Sequence, residues 1–252
     1  MSNRASIVEV IKRSAQGATR PFLCLADDGH HYWLKGTRAG TCDLCAEWIA
    51  GRLGKDFGLP IPDFAQVEIS QDVMQQSAFP EIEDLGFGVA FGSRHVPGCQ
   101  EYDASLLAST PDALKLDILA FDLWIRNTDR TFTRPFGSSG NPNLLWESEN
   151  GKLWVIDHNN AFLPDDMLRT TGFSNHVFYP ERSALTSAAR QELTIRMTGL
   201  LESVPMYFDE LPQEWLYLDA NQSVRSTMTP ERISSILRSV VEDGSGLWRS
   251  LL

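Results

Sequence analysis

The sequence lacks three features that would each indicate a class of protein. No stretch approaches the roughly 20 apolar residues that a membrane-spanning helix needs, and residues 1–6 lack the apolar core of a signal peptide. Basic residues are outnumbered, 22 against 33 acidic ones, and the formal net charge of −11 repels nucleic acid and anionic lipid. We therefore expect a cytoplasmic protein with no membrane partner and no direct nucleic-acid binding.

Cysteine is also scarce, with four in 252 residues. Cys42 and Cys45 form a lone CxxC, whereas Cys24 and Cys99 lie far apart in the sequence. A zinc or redox site is one interpretation of the CxxC, but no second CxxC or His pair completes a tetrahedral ligand set. The segment has a helical pattern, in which this spacing places both thiols on one face. We interpret them as buried or half-buried thiols, with metal or redox use as the alternative.

The sequence changes character after Pro97 and Gly98. Short strands with one helix precede these residues, and mainly helices follow them. With 42% hydrophobic and 22% charged residues, the composition is that of an ordinary globular protein, and 252 residues can bury a sizeable core. We predict an α+β, bilobal fold with a β-rich N-lobe over residues 1–98, a mainly helical C-lobe over residues 99–252, and a cleft near residues 94–98.

Apolar segments bounded by turn residues predict the strands of the N-lobe. The clearest pair flanks Asp28 and Gly29, which are typical of a hairpin turn. The predicted strands cover residues 7–11, 21–26, 31–35, 65–69 and 88–91. A helix is predicted over residues 43–54, and Gly58 followed by Pro60 marks its end.

Capping residues mark the predicted helices of the C-lobe. Thr110 is predicted to be an N-cap with Pro111 at the first helical position, and apolar residues at helical spacing continue that helix to Asn127. Thr229 and Pro230 begin a second helix in the same way. Helical patterns dominate from about residue 183 onwards.

Three polar residues follow one another near the middle of the chain in an informative order. Asp129 lies in a loop after a predicted helix, Asn143 opens a predicted strand, and Asp157 closes the apolar run over residues 153–156. In a kinase phosphotransfer centre the first Asp meets the acceptor hydroxyl, and the Asn and second Asp hold Mg²⁺ on the ATP phosphates. The order therefore predicts a phosphotransferase that uses ATP and Mg²⁺.

Each member of this series has a structural alternative. Asp129 would orient the proton of a hydroxyl, with Arg130 keeping the carboxylate ionised, or it would simply cap a loop. Asn143 would offer its carbonyl oxygen to Mg²⁺ or simply make an Asn turn after Pro142, and Asn141 is a rival for the metal role. Asp157 is the most informative of the acids, because a charge at the end of a buried strand is unfavourable unless a cation compensates it. The alternative for Asp157 is an N-cap or a strand-end turn.

A kinase centre also needs a Lys on a strand and a Glu on a helix. Lys35 closes the strand over residues 31–35, and Glu47 is the only acid well inside the following helix. Such a Lys neutralises phosphate charge and needs a carboxylate to direct it. The backbone of Gln16, Gly17, Ala18 and Thr19 would bind phosphates, although one glycine is equally compatible with an ordinary hairpin turn.

Together these residues resemble the HipA-like kinase family and, more distantly, the phosphatidylinositol 3- and 4-kinases. The likeness spans roughly residues 5–165 and rests on these motifs: Gln16-Gly17-Ala18-Thr19-Arg20-Pro21, Tyr32-Trp33-Leu34-Lys35-Gly36, Glu47, Gly58-Leu59-Pro60-Ile61-Pro62, Asn127-Thr128-Asp129-Arg130, Asn141-Pro142-Asn143-Leu144-Leu145 and Ile156-Asp157-His158. The resemblance implies a protein-kinase-like fold that uses ATP and Mg²⁺ to phosphorylate a protein Ser or Thr hydroxyl, or a small molecule.

The resemblance also implies a role for each matching residue. Lys35 is the phosphate-binding Lys, Glu47 is its partner, Asp129 is the catalytic Asp, and Asn143 and Asp157 are the Mg²⁺ ligands. Two features depart from the family pattern: Thr131 stands where the family often has His, and the spacing from Asp129 to Asn143 is longer than usual.

The chain is shorter than full HipA toxins, so a toxin role and an antitoxin-like DNA-binding partner are left open by the resemblance. Two other functions remain open at this point. One is a pseudokinase that serves as a binding scaffold, and the other is an enzyme of the same fold that transfers AMP. The acidic composition argues against a lipid kinase, which needs a basic face towards anionic membrane.

Overall fold

The computed structural model describes residues 4–15, 19–79, 81–133, 140–165, 167–168, 172–242 and 248. The chain divides into two compact units. The first draws on Met1–Trp48, Pro62–Pro97 and Leu211–Ser226, and the second on Ile49–Ile61, Gly98–Glu210 and Thr227–Leu252. Each unit therefore combines segments that are distant in the sequence.

The first unit is built on a closed five-stranded barrel. Its strands are β1 (Ala5–Arg13), β2 (Phe22–Ala26), β3 (His31–Lys35), β4 (Phe64–Ile69) and β5 (Gly88–Arg94). Neighbouring strands follow the order β1-β2-β3-β5-β4, and a short parallel pairing of β1 with β4 closes the barrel. All the other strand pairs are antiparallel.

Apolar side chains fill the interior of the barrel. Ile7, Leu34 and Val67 are among the buried residues that form this core. Gly92 lies between two of them, and an added Cβ at this position would meet Val67 at 2.8 Å and Leu34 at 2.9 Å. The barrel interior is therefore packed so closely that β5 needs a glycine at this point.

Short helices complete the first unit. They are the N-terminal half of α1 (Thr41–Phe57), α2 (Gln71–Gln76) and the 3-10 helices Thr37–Ala39, Ile82–Asp84 and Gln213–Leu216. Ser70 caps α2 by accepting a hydrogen bond from the amide of Val73 at 3.3 Å. Trp215 is fully buried, and its indole nitrogen donates to the carbonyl of Val89 at 2.8 Å. This bond ties the segment over residues 211–226 to strand β5.

The second unit contains a small antiparallel sheet and several helices. Its strands are β6 (Cys99–Glu101), β7 (Leu144–Glu147) and β8 (Lys152–Val155), in the order β6-β7-β8. Its helices are α3 (Asp112–Trp124), α4 (Ser187–Leu200), α5 (Val204–Asp209) and α6 (Pro230–Glu242), with 3-10 helices at Ala104–Ser109, Tyr179–Ala184 and Leu201–Ser203.

Helix α3 forms the centre of the second unit. Trp124 is fully buried, and its indole nitrogen donates to the carbonyl of Leu237 in α6 at 3.2 Å. Phe57, at the end of α1, packs against Phe121 with ring centroids 5.4 Å apart. Every residue from Ile118 to Trp124 is buried, so the second half of α3 is packed on all its faces just before the loop that follows it.

The structure confirms the predicted α+β class. The five barrel strands and helices α1, α3 and α6 lie close to their predicted positions, whereas α2 and β6 were not predicted. The division of the chain differs from a single boundary after residue 98. Residues 49–61 belong to the second unit, where Phe57 packs on α3, and residues 211–226 belong to the first, where Trp215 packs on β5. Such long-range packing has no signature in a local sequence window.

One predicted cap is wrong and another is confirmed. Thr110 does not cap α3, which begins at Asp112; its buried hydroxyl instead donates to the carbonyl of Leu106 at 3.1 Å and lies 2.8 Å from the hydroxyl of Tyr102. Thr229 does cap α6, since its Oγ1 accepts from the amide of Arg232 at 3.2 Å. In the described part of the chain, no helix has the length and apolar character needed to cross a membrane.

Candidate active site

Lys35 and Glu47 form a buried ion pair in the first unit. The Nζ of Lys35 donates to Oε1 of Glu47 at 2.5 Å, and the two side chains are only 9% and 2% exposed. Strand β3 ends at Lys35, and α1 carries Glu47 on its inner face. The structure therefore makes the contact that the sequence pattern predicts between these two side chains.

Lys35 also lines a pocket of about 290 Å³ in the first unit. Phe22 and Leu34 contribute apolar walls, and Thr19 lines the same pocket. Of the predicted phosphate-binding segment, Gln16, Gly17 and Ala18 lie outside the described residues, so their role stays a prediction. Pockets with apolar walls and a few charged groups are typical small-molecule sites.

The backbone beside Lys35 is held by a close approach of two chain segments. The amide of Thr37 donates to the carbonyl of Leu85 at 3.1 Å. A Cβ on Gly36 would lie 1.8 Å from that carbonyl oxygen, so only glycine allows this contact. Sterics therefore explain why a glycine follows Lys35, because only a residue without a Cβ allows the chain to pass this close to Leu85.

Asp129 lies in the second unit among amide groups. Its Oδ2 accepts hydrogen bonds from the Nδ2 of Asn160 at 3.1 Å and from the Nδ2 of Asn143 at 3.4 Å. Amide donors of this kind orient a carboxylate without neutralising it. The structure therefore brings together Asp129 and Asn143, two of the three members of the predicted phosphotransfer series in this unit.

The amide oxygen of Asn143 distinguishes it from its rival, Asn141. The Oδ1 of Asn141 accepts a hydrogen bond from the backbone amide of Asn143 at 2.9 Å. The Oδ1 of Asn143 is buried and finds no hydrogen-bond donor among the residues that the structure describes. A buried carbonyl oxygen without a donor is unfavourable unless a cation or another ligand meets it, and Mg²⁺ prefers oxygen ligands. The donor set at Asn143 therefore fits a magnesium ligand better than that at Asn141.

Both predicted metal ligands have a left-handed backbone conformation. The φ angles are +52° at Asn143 and +60° at Asp157, where the chain leaves β8 and the side chain is half-buried. Asn and Asp adopt this conformation more readily than other residues that carry a Cβ, and residues in such conformations cluster at functional sites. The backbone at both positions thus favours the residue types found there.

Arg130, Asp122 and His176 form a buried polar group next to Asp129 and Asn143 in the second unit. The guanidinium of Arg130 is fully buried and pairs with Asp122 of α3, with Nε at 2.6 Å from Oδ2. His176 is buried too, and its Nε2 lies 2.9 Å from the same oxygen. The sequence predicts that Arg130 keeps the carboxylate of Asp129 ionised, whereas in the structure its guanidinium bonds to Asp122, a carboxylate of the preceding helix.

The pKa values of this buried group follow from its contacts. Burial alone would raise the pKa of Asp122, but Arg130 and His176 more than offset it and hold that pKa well below its usual range. Burial lowers the pKa of His176, although its hydrogen bond to Asp122 opposes the change. The Nδ1 of His176 accepts from the amide of Phe178 at 3.1 Å, so we assign a neutral ring that donates through Nε2.

Acid should therefore destabilise the protein through His176. Its folded-state pKa is lower than the unfolded one, so its contribution is fully present above about pH 6.5 and is lost as pH falls, by up to about 1.4 kcal/mol per pH unit. Urea unfolding at pH 7.5 and 5.5 will test this for wild type and His176→Gln, which keeps a donor for Asp122 but cannot be protonated. We expect the wild type to lose more stability than the variant between these two pH values. Equal losses would contradict this assignment.

The CxxC thiols are buried to the degree that the sequence predicted. Cys45 is buried, Cys42 is half-buried, and neither forms a disulfide. Burial raises the pKa of Cys45 to about 12, which makes it a poor nucleophile. Within the described ranges, no group of three or more His, Cys, Asp or Glu side chains is arranged to hold a metal ion.

Three polar residues near the site were not predicted from the sequence: Asp122, Asn160 and His176. Asp122 carries a detectable signal, because it is a lone acid inside the apolar segment of α3. His176 and Asn160 carry none, since nothing local relates them to residues that lie tens of positions away in the chain. Only tertiary contacts reveal that both side chains bond to the acids of this region.

Comparison with known proteins gives one family and several structures. The family model described as HipA-like kinase matches residues 7–251 of the chain. No curated protein matches the chain.

Solved structures of kinases resemble this chain at low sequence identity. The crystal structure of the Helicobacter pylori proinflammatory kinase CtkA is similar with a TM-score of 0.51 and 12% identity, covering 94% of this chain and 92% of that chain. The FAT and kinase domain of CtTel1 is similar with a TM-score of 0.30 and 12% identity, covering 100% of this chain and 22% of that chain. The likeness to CtkA shows the fold of a kinase.

Proposed function

Because the chain belongs to the HipA-like kinase family, we propose that it uses ATP and Mg²⁺ to transfer the γ-phosphoryl group to a Ser or Thr hydroxyl of a protein. The main support for this proposal is the hydrogen bonding of the side-chain amide of Asn143. Its Nδ2 donates to Asp129, while its buried Oδ1 has no donor among the described residues. One side chain thus orients the proposed base and offers an oxygen to a cation.

In the first unit, Lys35 is the proposed ligand of the ATP phosphates. Glu47 holds the ammonium group in place through the buried 2.5 Å contact. A Lys fixed in this way loses less side-chain entropy when the nucleotide binds. Thr19, together with Gln16, Gly17 and Ala18, is the proposed phosphate-binding segment.

In the second unit, Asp129 is the proposed catalytic base. It accepts the proton of the acceptor hydroxyl, and the amides of Asn143 and Asn160 hold its carboxylate in one orientation. Asn143 and Asp157 would hold Mg²⁺, which when bound neutralises the negative charge of the phosphate oxygens. The rest of the chain holds these side chains in the orientation that the reaction needs before the substrates bind.

We propose that the β-rich unit is the nucleotide-binding lobe of a bilobal kinase and that the other unit is its catalytic lobe. The partner is a protein substrate in the cytoplasm. A strongly acidic chain with a formal charge of −11 suits neither nucleic acid nor an anionic membrane surface.

Replacing Lys35 by Ala should remove most of the stabilisation that ATP and Mg²⁺ give. A ligand at 100 times its Kd stabilises by about 2.7 kcal/mol, which raises the Tm of a protein of this size by roughly 5–10 °C. The measurement is a thermal-shift titration of each protein with ATP, with and without Mg²⁺. Lys35→Ala leaves the buried carboxylate of Glu47 without its ion-pair partner, which lowers the Tm by itself. The nucleotide-induced shift in Tm must therefore be compared between the two proteins, rather than the Tm values.

Lys12→Ala is the matched control, since it removes an exposed Lys from the same barrel. It should keep the full shift. A full shift in Lys35→Ala would refute the role of Lys35, and no shift in wild type would refute nucleotide binding. Mass spectrometry of candidate protein substrates then distinguishes a phosphoryl from an AMP adduct, and nucleotide binding without any adduct would indicate a pseudokinase.

A further inference from the structure

The guanidinium of Arg130 contacts the backbone of both segments that carry the proposed metal ligands, Asn143 and Asp157. Its Nη1 donates to the carbonyl of Asn143 at 2.5 Å and to the carbonyl of Ile156 at 3.3 Å. The same nitrogen lies 3.2 Å from the carbonyl of Pro142. Arg130 is adjacent in sequence to Asp129, and Ile156 directly precedes Asp157.

Asp122 fixes the other side of the same guanidinium. Its Oδ2 accepts from the Nε of Arg130 at 2.6 Å and from His176 at 2.9 Å. Its Oδ1 accepts from the Nη2 of Arg130 at 3.3 Å and from the Nδ2 of Asn127 at 3.0 Å. The carboxylate therefore has a donor at each of its four lone-pair positions, with no exposure to solvent.

We propose that Arg130 is a positioning residue, which sets the relative places of Asp129, Asn143 and Asp157, and that Asp122 and His176 hold its guanidinium in the required orientation. The proposal deepens the proposed function and rests on it. Arg130 itself touches no reacting atom. It acts through the backbone of the segments that carry the reacting groups.

The geometry of arginine explains why this residue type suits the position. A guanidinium presents five N–H donors in a rigid plane, so it can bond a carboxylate on one edge and carbonyl oxygens on another. Lysine has the same charge but gathers its three donors at one flexible point, and it cannot reach both sets. Misplacing catalytic groups by about 1 Å lowers rates by about 100-fold, so a loose anchor should affect turnover more than binding.

Arg130→Lys should lower kcat by about 100-fold while leaving the KM for ATP nearly unchanged. The Mg²⁺ concentration for half-maximal activity should rise, because Asn143 and Asp157 would no longer be held together. Hydrogen exchange of the ligand-free protein gives a readout that does not depend on activity. Amides over residues 141–147 and 153–158 should exchange roughly tenfold faster, as expected for the loss of one anchoring hydrogen bond.

Arg196→Lys is the matched control. Arg196 also bonds a carboxylate and a backbone carbonyl, those of Asp117 and Phe57, within the same unit. It should leave exchange at residues 141–147 and 153–158 and the Mg²⁺ dependence unchanged. Unchanged exchange and kcat in Arg130→Lys would overturn the proposal, and so would equal effects in both variants.

A second pair of variants keeps the test decisive if Arg130→Lys does not fold. His176→Leu removes the donor to Asp122, and His176→Gln restores one. We expect faster exchange over residues 153–158 in His176→Leu and recovery in His176→Gln, and the absence of any difference would overturn the role of His176. If wild type transfers no phosphoryl group, the proposed function fails, but the exchange experiment still decides whether Arg130 positions these segments.

Discussion

Asp157→Asn should abolish phosphoryl transfer from Mg·ATP, or reduce kcat by at least roughly 100-fold, while leaving the fold intact. The substitution removes one negative charge from the proposed cation site and changes the side-chain volume very little. A neutral amide is a much weaker ligand for a hard divalent cation than a carboxylate. The catalytic loss should therefore far exceed any loss of stability.

The backbone at this position makes Asn the appropriate replacement. With a φ of +60°, Asp157 has a left-handed conformation, which Asn adopts more easily than Ala. Asp157→Ala would combine the loss of a ligand with backbone strain, so its effect would be ambiguous. Asp157→Asn separates the two causes.

Activity and thermal shift should be measured together for Asp157→Asn and for Asp209→Asn. Asp209 is exposed at the end of α5, and its replacement makes the same change in net charge. The control should retain wild-type turnover and the Mg²⁺-dependent shift with ATP. Wild-type turnover in Asp157→Asn would rule out the metal-binding role of this residue.

Asp122→Ala should lower the free energy of unfolding by about 3–5 kcal/mol, the usual effect of removing one partner from a buried ion pair. It leaves the guanidinium of Arg130 fully buried without its carboxylate. The amide of Asn127 and the ring of His176 lose the same acceptor. In a protein of this size the Tm should fall by on the order of 10 °C.

Two further variants test whether burial of the ion pair causes this loss of stability. Asp117→Ala removes a carboxylate from a pair with Arg196 whose side chains are 28% and 33% exposed, and it should destabilise by less than about 1 kcal/mol. The double variant Asp122→Leu, Arg130→Met should be more stable than Asp122→Ala, because no buried charge remains unpaired. If Asp122→Ala and Asp117→Ala were equally stable in urea unfolding, the buried pair would not have the energetic role described here.

Local patterns in the sequence predict the parts of the structure that depend on near neighbours. Alternating apolar residues place the barrel strands, and the pair of Lys35 and Glu47 follows from one strand and the next helix. The closure of the barrel is different, because β1 and β4 pair across about 60 residues and leave no local pattern. The wrong cap at Thr110 has a different origin, because its hydroxyl bonds to Leu106 and Tyr102 in the segment just before the helix.

The sequence by itself determined the chemistry that this protein has available: the α+β class, an acidic chain, and the types and order of Lys35, Glu47, Asp129, Asn143 and Asp157. The tertiary structure alone decided how the groups of the second unit are held. It shows which of two Asn oxygens has no donor among the described residues, and it bonds Arg130 to Asp122 and His176. The physical reason is that burial and hydrogen-bond satisfaction are properties of groups brought together from distant segments, whereas periodicity and spacing are properties of neighbours in the chain.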